Sequence, residues 1–144
     1  MAANTLPIFT VLPNLSADGG TGMGSTLLTA ANDFTGAGAN NVLVFTAGTN
    51  GSYVRRLHFK AIGTNVQTVA RVFLNNGSTN GTAANNRFYD DVPLPATTVS
   101  ANGVTGPGID FALEFAVVAG WRIYVGLGTT VAAGWVVTPV AGDY

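Results

Sequence analysis

A chain of 144 residues suffices for one domain with a full core, since domains of this size bury roughly 70% of the surface the unfolded chain exposes. Only 9% of its residues are charged, the net charge is −1 and 47% are apolar, so a surface with little charge to hold copies apart points to an oligomer. Six Lys and Arg are too few to displace counterions from phosphates, which argues against nucleic acid as a partner, and the lack of cysteine removes disulfides and thiolate metal sites.

Residues 1–24 read as an extended arm and hinge. Ile8, Phe9, Val11 and Leu12 lie near Pro7 and Pro13, which favour extended backbone, and Asp18 to Gly22 forms a glycine-rich hinge. A short apolar segment of this kind either adds an edge strand to its own domain or docks on a neighbour. The start of the chain lacks a basic segment and carries Pro7 and Pro13 inside its apolar part, which disfavours a signal peptide or membrane helix, and the lack of cysteine is compatible with maturation in a reducing cytoplasm.

Residues 25–144 read as the folded domain. Ser25 to Asp33 is ambiguous between a short helix and a strand, and the β-rich neighbourhood favours a strand. Val42 to Thr46 is a compact apolar strand followed by turn chemistry at Thr49-Asn50-Gly51. Between Tyr53 and Ile62, Leu57, Phe59 and Ala61 share one face and Arg56, His58 and Lys60 the other. After a turn at Gly63 to Asn65, Val66 to Leu74 reads as the partner strand, with Ala70, Val72 and Leu74 inward. Val69, Arg71 and Phe73 then point outward, and an outward Phe73 needs another subunit or a covering layer.

Asn75 to Asn86 is a polar, uncharged loop. Arg87 to Leu94 and Thr97 to Ala101 read as further strands. Ile109, Phe111, Leu113, Phe115 and Val117 alternate with Asp110, Ala112, Glu114 and Ala116, the cleanest half-buried strand in the chain. After Val118, Ala119 and Gly120, Trp121, Ile123 and Val125 suggest the returning arm of a hairpin. Phe111, Phe115, Trp121 and Trp135 are expected in the core. Trp135 to Val137 makes the last strand, with Pro139 marking an edge or an end. Ile123 to Gly142 has no charge over twenty residues, but four glycines, three threonines and Pro139 break it, so short strands explain it better than a membrane span.

These elements make the fold all-β, a single β-sandwich of about eight antiparallel strands, with a jelly roll as the leading version. Catalytic chemistry finds little support. A catalytic or metal role for His58 would need a carboxylate or a second ligand nearby, and the flanking charges of Arg56 and Lys60 oppose a bound cation. Asp90 and Asp91 face opposite ways on a strand. Asp110 and Glu114 share a face but lie roughly 13 Å apart, beyond the about 9.5 Å limit for a glycosidase pair. A serine nucleophile would lack a usable base. Gly20 to Gly24 and Gly126 to Gly128 lack the helix and lysine of a phosphate-binding loop. The Asn-X-Ser/Thr triplets at Asn14, Asn50, Asn76 and Asn80 read as turns. No enzyme, metal or cofactor is expected.

The stretches Thr46 to Asn65, Ala70 to Gly77, Trp121 to Gly126 and Val131 to Val137 resemble small virion proteins of tailed bacteriophages, over roughly residues 25–144. The β-rich members resemble head decoration, or cement, proteins, which sit on the outer shell as trimers and bridge capsomers. The resemblance implies a structural protein on the outer surface of the head, assembled in the host cytoplasm, with itself (a homotrimer) and the major capsid protein as partners. It carries no ligand residues. Ile8, Phe9, Val11 and Leu12 of the arm, with Val69 and Phe73, are the candidate assembly contacts. A tail-fibre or receptor-binding module that reads host glycan through loops such as Asn75 to Asn86 is the alternative.

Overall fold

Alternating apolar side chains have a core only if a second layer covers them, and here two antiparallel sheets cover each other. The structure, a computed structural model, describes residues 9–17, 26–98 and 103–144. Its strands are β1 (Leu12–Asn14), β2 (Thr26–Leu28), β3 (Val42–Thr46), β4 (Ser52–Ala61), β5 (Thr68–Asn75), β6 (Asn86–Leu94), β7 (Gly108–Val117), β8 (Arg122–Leu127) and β9 (Trp135–Asp143). The helical content among the described residues is one 3-10 turn, Ala83–Asn85. One sheet runs in the order β1, β9, β4, β7, with β2 also paired to β9; the other runs β3, β8, β5, β6. The expected β-sandwich is what the chain forms.

Between the sheets, Val54, Leu57 and Phe59 of β4, Leu113 and Val117 of β7 and Trp135 and Val137 of β9 meet Ala70 and Val72 of β5, Val92 and Leu94 of β6 and Ile123, Val125 and Leu127 of β8. Burying one such large side chain contributes roughly 1.5 to 3 kcal/mol. The faces read from the sequence hold for β4 and β7: Leu57, Phe59 and Ala61 are buried, while Arg55 and Lys60 are exposed and Arg56 and His58 half-exposed. Facing bulges put Arg55 on β4 opposite Leu113 and Glu114 on β7, with Glu114 in the left-handed region at φ 53°. Such kinks break the flatness of an edge strand and discourage further pairing.

The strands pair in a nested way: β2 with β9, β3 with β8, β4 with β7 and β5 with β6, all antiparallel. The chain is therefore one long hairpin folded over into two layers. This corrects two expected pairings. β7 and β8 are not a hairpin, because β7 lies beside β4 and β8 lies between β3 and β5. Likewise the strand after Gly63 to Asn65 does not pair with β4 but belongs to the opposite sheet. Both connections cross between layers, and a tight turn serves a crossing as well as a hairpin.

Three more expectations change. Phe73 is 0% exposed: it lies on the outer face of β5, but the segment 31–41 folds over that face. Gly36 (φ 66°) presses on it so closely that a Cβ there would lie 2.6 Å from the Phe73 ring, and Phe88 packs edge-on at 5.7 Å. Trp121 is 37% exposed, at the crossing rather than in the core, and Phe111 and Phe115 are only partly buried, closed off by Tyr89 at 6.4 and 5.4 Å. Finally, β9 does not stop at Pro139 but continues to Asp143. Opposite Pro139, β2 has ended at Val137 and β1 begins only at Ala141, so the proline, which lacks an N–H, sits where β9 has a strand neighbour on one side alone. Of the expected strand Thr97 to Ala101, Thr97 makes a single bridge to Asn65, and residues 99–101 lie outside the described residues, as does the hinge Asp18 to Gly22.

Candidate assembly surface

The described part of the arm, residues 9–17, contributes an edge strand to its own domain. β1 pairs with β9 through Leu12 to Asp143, Pro13 to Gly142 and Asn14 to Ala141, and the Val11 N–H donates to the Asp143 carbonyl at 2.8 Å. Gly142 makes this approach possible, since a Cβ there would meet Thr10 at 2.7 Å.

A buried polar knot fastens the strand. The Asn14 side-chain amide donates to the Asp143 carboxylate at 2.9 Å and to the Thr46 carbonyl at 3.1 Å. The Ser52 hydroxyl donates to the same carboxylate oxygen and accepts the Gly48 N–H at 2.9 Å, while the Thr46 hydroxyl donates to the Ala17 carbonyl. Asn14 is fully buried, so the first of the four triplets is a structural asparagine. Its hydrogen bonds satisfy groups that would be costly to bury alone.

Beyond the knot, the arm turns apolar side chains to solvent: Phe9 is 75%, Val11 70% and Leu12 64% exposed. Val11, Leu12 and Pro13 line a shallow groove of about 400 Å³ together with Tyr53, Arg55 and Val140. Ile8 lies outside the described residues. The other two candidates are elsewhere: Val69 is half-buried on the outer face of the β5 sheet, against Gly128, and Phe73 beside it is covered. The structure thus gathers Phe9, Val11 and Leu12 on one edge and removes Phe73 from the surface. Sequence reasoning missed Tyr53, Val140 and the knot. The signal it had was Gly142, a glycine in a strand, which marks close backbone approach.

On the outer face of β4, strand pairing supplies what the sequence along β4 does not. His58 is in register with Asp110 of β7, and its Nδ1 lies 2.6 Å from the Asp110 carboxylate, with Arg56 Nε at 3.4 Å. The His58 hydrogen bond, aided by the Arg56 guanidinium, holds the Asp110 carboxyl below the usual carboxylate range. The cluster is exposed and clasps two strands together. Among the described residues no three His, Asp or Glu side chains gather as a metal site would require, and no helix is long and apolar enough to cross a membrane.

The chain matches no family model, no curated protein and no solved structure.

Proposed function

We propose that this protein is a structural virion protein of a tailed bacteriophage, a head decoration protein that joins the outer capsid shell as a homotrimer and bridges capsomers. One observation carries the reading: a strand locked to the domain by buried hydrogen bonds holds Phe9, Val11 and Leu12 out in solvent. Apolar side chains fixed in that way have already lost their backbone freedom, so docking them costs little further ordering entropy. The charge-poor surface and the resemblance of residues 25–144 to virion proteins support the same role, and the nested strand pairing supports reading the sandwich as a jelly roll. The major capsid protein is the proposed partner and the outer surface of the head the proposed location, reached after assembly in the host cytoplasm.

A mass-calibrated gel of purified particles tests the proposal. A shell protein runs to hundreds of copies per particle, whereas a few dozen copies would transfer it to the tail. The tail-fibre reading, in which polar loops bind host glycan, is favoured by one feature, the groove beside the Asn75 to Asn86 loop.

A further inference from the structure

At the crossing from β7 to β8, Trp121 borders a groove of about 480 Å³ whose other lining residues are Leu74, Asn76, Ala84, Asn85, Asn86 and Arg87. This volume falls in the range of about 300 to 1,000 Å³ usual for small-molecule sites, and none of these residues lines the arm's groove.

The loop is held in shape before any ligand arrives. Asn80 Nδ2 donates to the Gly38 and Asn41 carbonyls at 3.1 and 3.0 Å. Asn86 Nδ2 donates to the Gly36 and Asn80 carbonyls at 3.1 and 2.9 Å, and its Oδ1 accepts from Asn75 Nδ2 at 2.8 Å. Gly77 (φ 89°) abuts the Gly120 carbonyl, where a Cβ would stand at 2.8 Å. A site built this way orders little on binding.

The groups facing the groove have a particular chemistry. Asn76 donates to Asn85 Oδ1 at 3.4 Å and accepts from the Ser78 N–H at 3.1 Å; Asn85 donates to the Thr79 carbonyl at 2.9 Å and accepts from Asn76. A side-chain amide has two N–H donors and two acceptor lone pairs, so each keeps one donor and one acceptor for a ligand. Paired donor and acceptor suit vicinal hydroxyls, which both give and take hydrogen bonds. Trp121 adds an apolar face with a polar N–H, the complement of a sugar ring with C–H groups on its face and hydroxyls at its rim. Arg87 is the one charged side chain in the lining, too little for a polyanion, whose affinity comes from many phosphate contacts. Among the described residues no carboxylate lines the groove, so its lining suits holding a sugar rather than cleaving it.

We infer that the groove between Trp121 and Asn76, Asn85 and Arg87 is a binding site for a neutral saccharide. The two tryptophans make the test simple, because Trp135 is 0% exposed and reports folding while Trp121 reports the groove. Intrinsic fluorescence and calorimetry with maltohexaose, cellohexaose and N-acetylchitohexaose should give a saturable signal with at least one of them. Trp121→Ala should weaken that binding by about tenfold or more, as loss of an aromatic platform does, with Trp121→Phe retaining part of it and Asn85→Ala also losing affinity. The unchanged emission of Trp135 controls for folding. Failure of all three sugars to saturate at millimolar concentration, or equal binding by Trp121→Ala, overturns the inference. So does displacement of a bound sugar by polyphosphate, which would make it an anion site. The particle count decides the shell role separately, so neither failure can be mistaken for the other.

Discussion

Asn14 and Asp143 are 129 positions apart and share a 2.9 Å hydrogen bond that joins the arm to the strand at the heart of its sheet. The same amide reaches the Thr46 carbonyl, so one buried side chain ties together β1, β9 and β3. Asn14→Ala deletes the donor and leaves those acceptors short of a partner, at a cost of about 1 to 3 kcal/mol. Urea denaturation should show a lower midpoint, and limited proteolysis should cut the arm first. An unchanged midpoint with a protected arm would mean that β1 holds by its backbone alone.

Replacing Phe9, Val11 and Leu12 together by Ser should change the unfolding free energy by no more than about 0.5 kcal/mol per position, as substitutions at exposed positions usually do. Self-association, followed by sedimentation velocity at micromolar concentration, should fall. A parent protein that stays monomeric at every concentration tested would count against the homotrimer.

The two tryptophans should behave differently when truncated. Trp135→Ala empties a fully buried site and should cost about 3 to 5 kcal/mol. Trp121→Ala removes a half-exposed ring and should cost no more than about 1 kcal/mol. Paired urea melts check the contrast, and equal losses would place Trp121 in the core after all.

Gly36 and Phe73 are predicted to be energetically coupled. Gly36→Ala forces a Cβ to within 2.6 Å of the ring at a positive φ, an overpacking worth about 1 to 3 kcal/mol. Phe73→Leu also destabilises by itself, yet the double variant should lose less than the sum of the two. A double-mutant cycle measures the difference, and strict additivity would show that backbone strain at Gly36, not the contact, sets the cost.

Acid should loosen the clasp between β4 and β7. The folded carboxyl of Asp110 titrates below its usual value near 3.8 because His58 bonds it, with Arg56 adding attraction. A depressed carboxyl stabilises the fold above its unfolded pKa and loses that contribution as pH falls through the folded pKa. The loss therefore falls below pH 3.8. A carbon-13 NMR titration of the Asp110 carboxyl should show its midpoint rising toward 3.8 in His58→Ala; no movement would assign the depression to Arg56 alone.

Much of the fold was legible in the sequence because it rests on period-two alternation. The faces of β7 and of β4 from Arg56 onward needed nothing more than counting apolar residues, whereas the bulge at Arg55, which brings Val54 inward, has no such signal. Pairing was not legible: a turn such as Val118 to Gly120 looks the same whether the chain returns in one sheet or crosses to the other. Nor was the cover over Phe73, since residues 31–41 carry no periodic pattern and act through one glycine and through Phe34, which stacks edge-on to Phe88 at 5.4 Å. Of the candidate assembly surface, the apolar arm was plain from composition. Its knot was not, because Asn14, Thr46, Ser52 and Asp143 meet only when both sheets exist. The partnership of His58 with Asp110 is hidden for the same reason, being a matter of register between strands 52 residues apart.

β9 stands between β4 and the arm side of its sheet, yet of the described strands it is the last to be synthesised. Until residues 135–143 leave the ribosome, β2 has no ladder partner and β4 has only β7. At about 5 to 20 residues per second, a nascent chain spends seconds with one layer of its sandwich unfinished and its apolar faces open to water. Pairings over such long stretches of sequence also close slowly, in about milliseconds to seconds. The arm can therefore be seated only once β9, more than 120 positions further along the chain, is there to receive it.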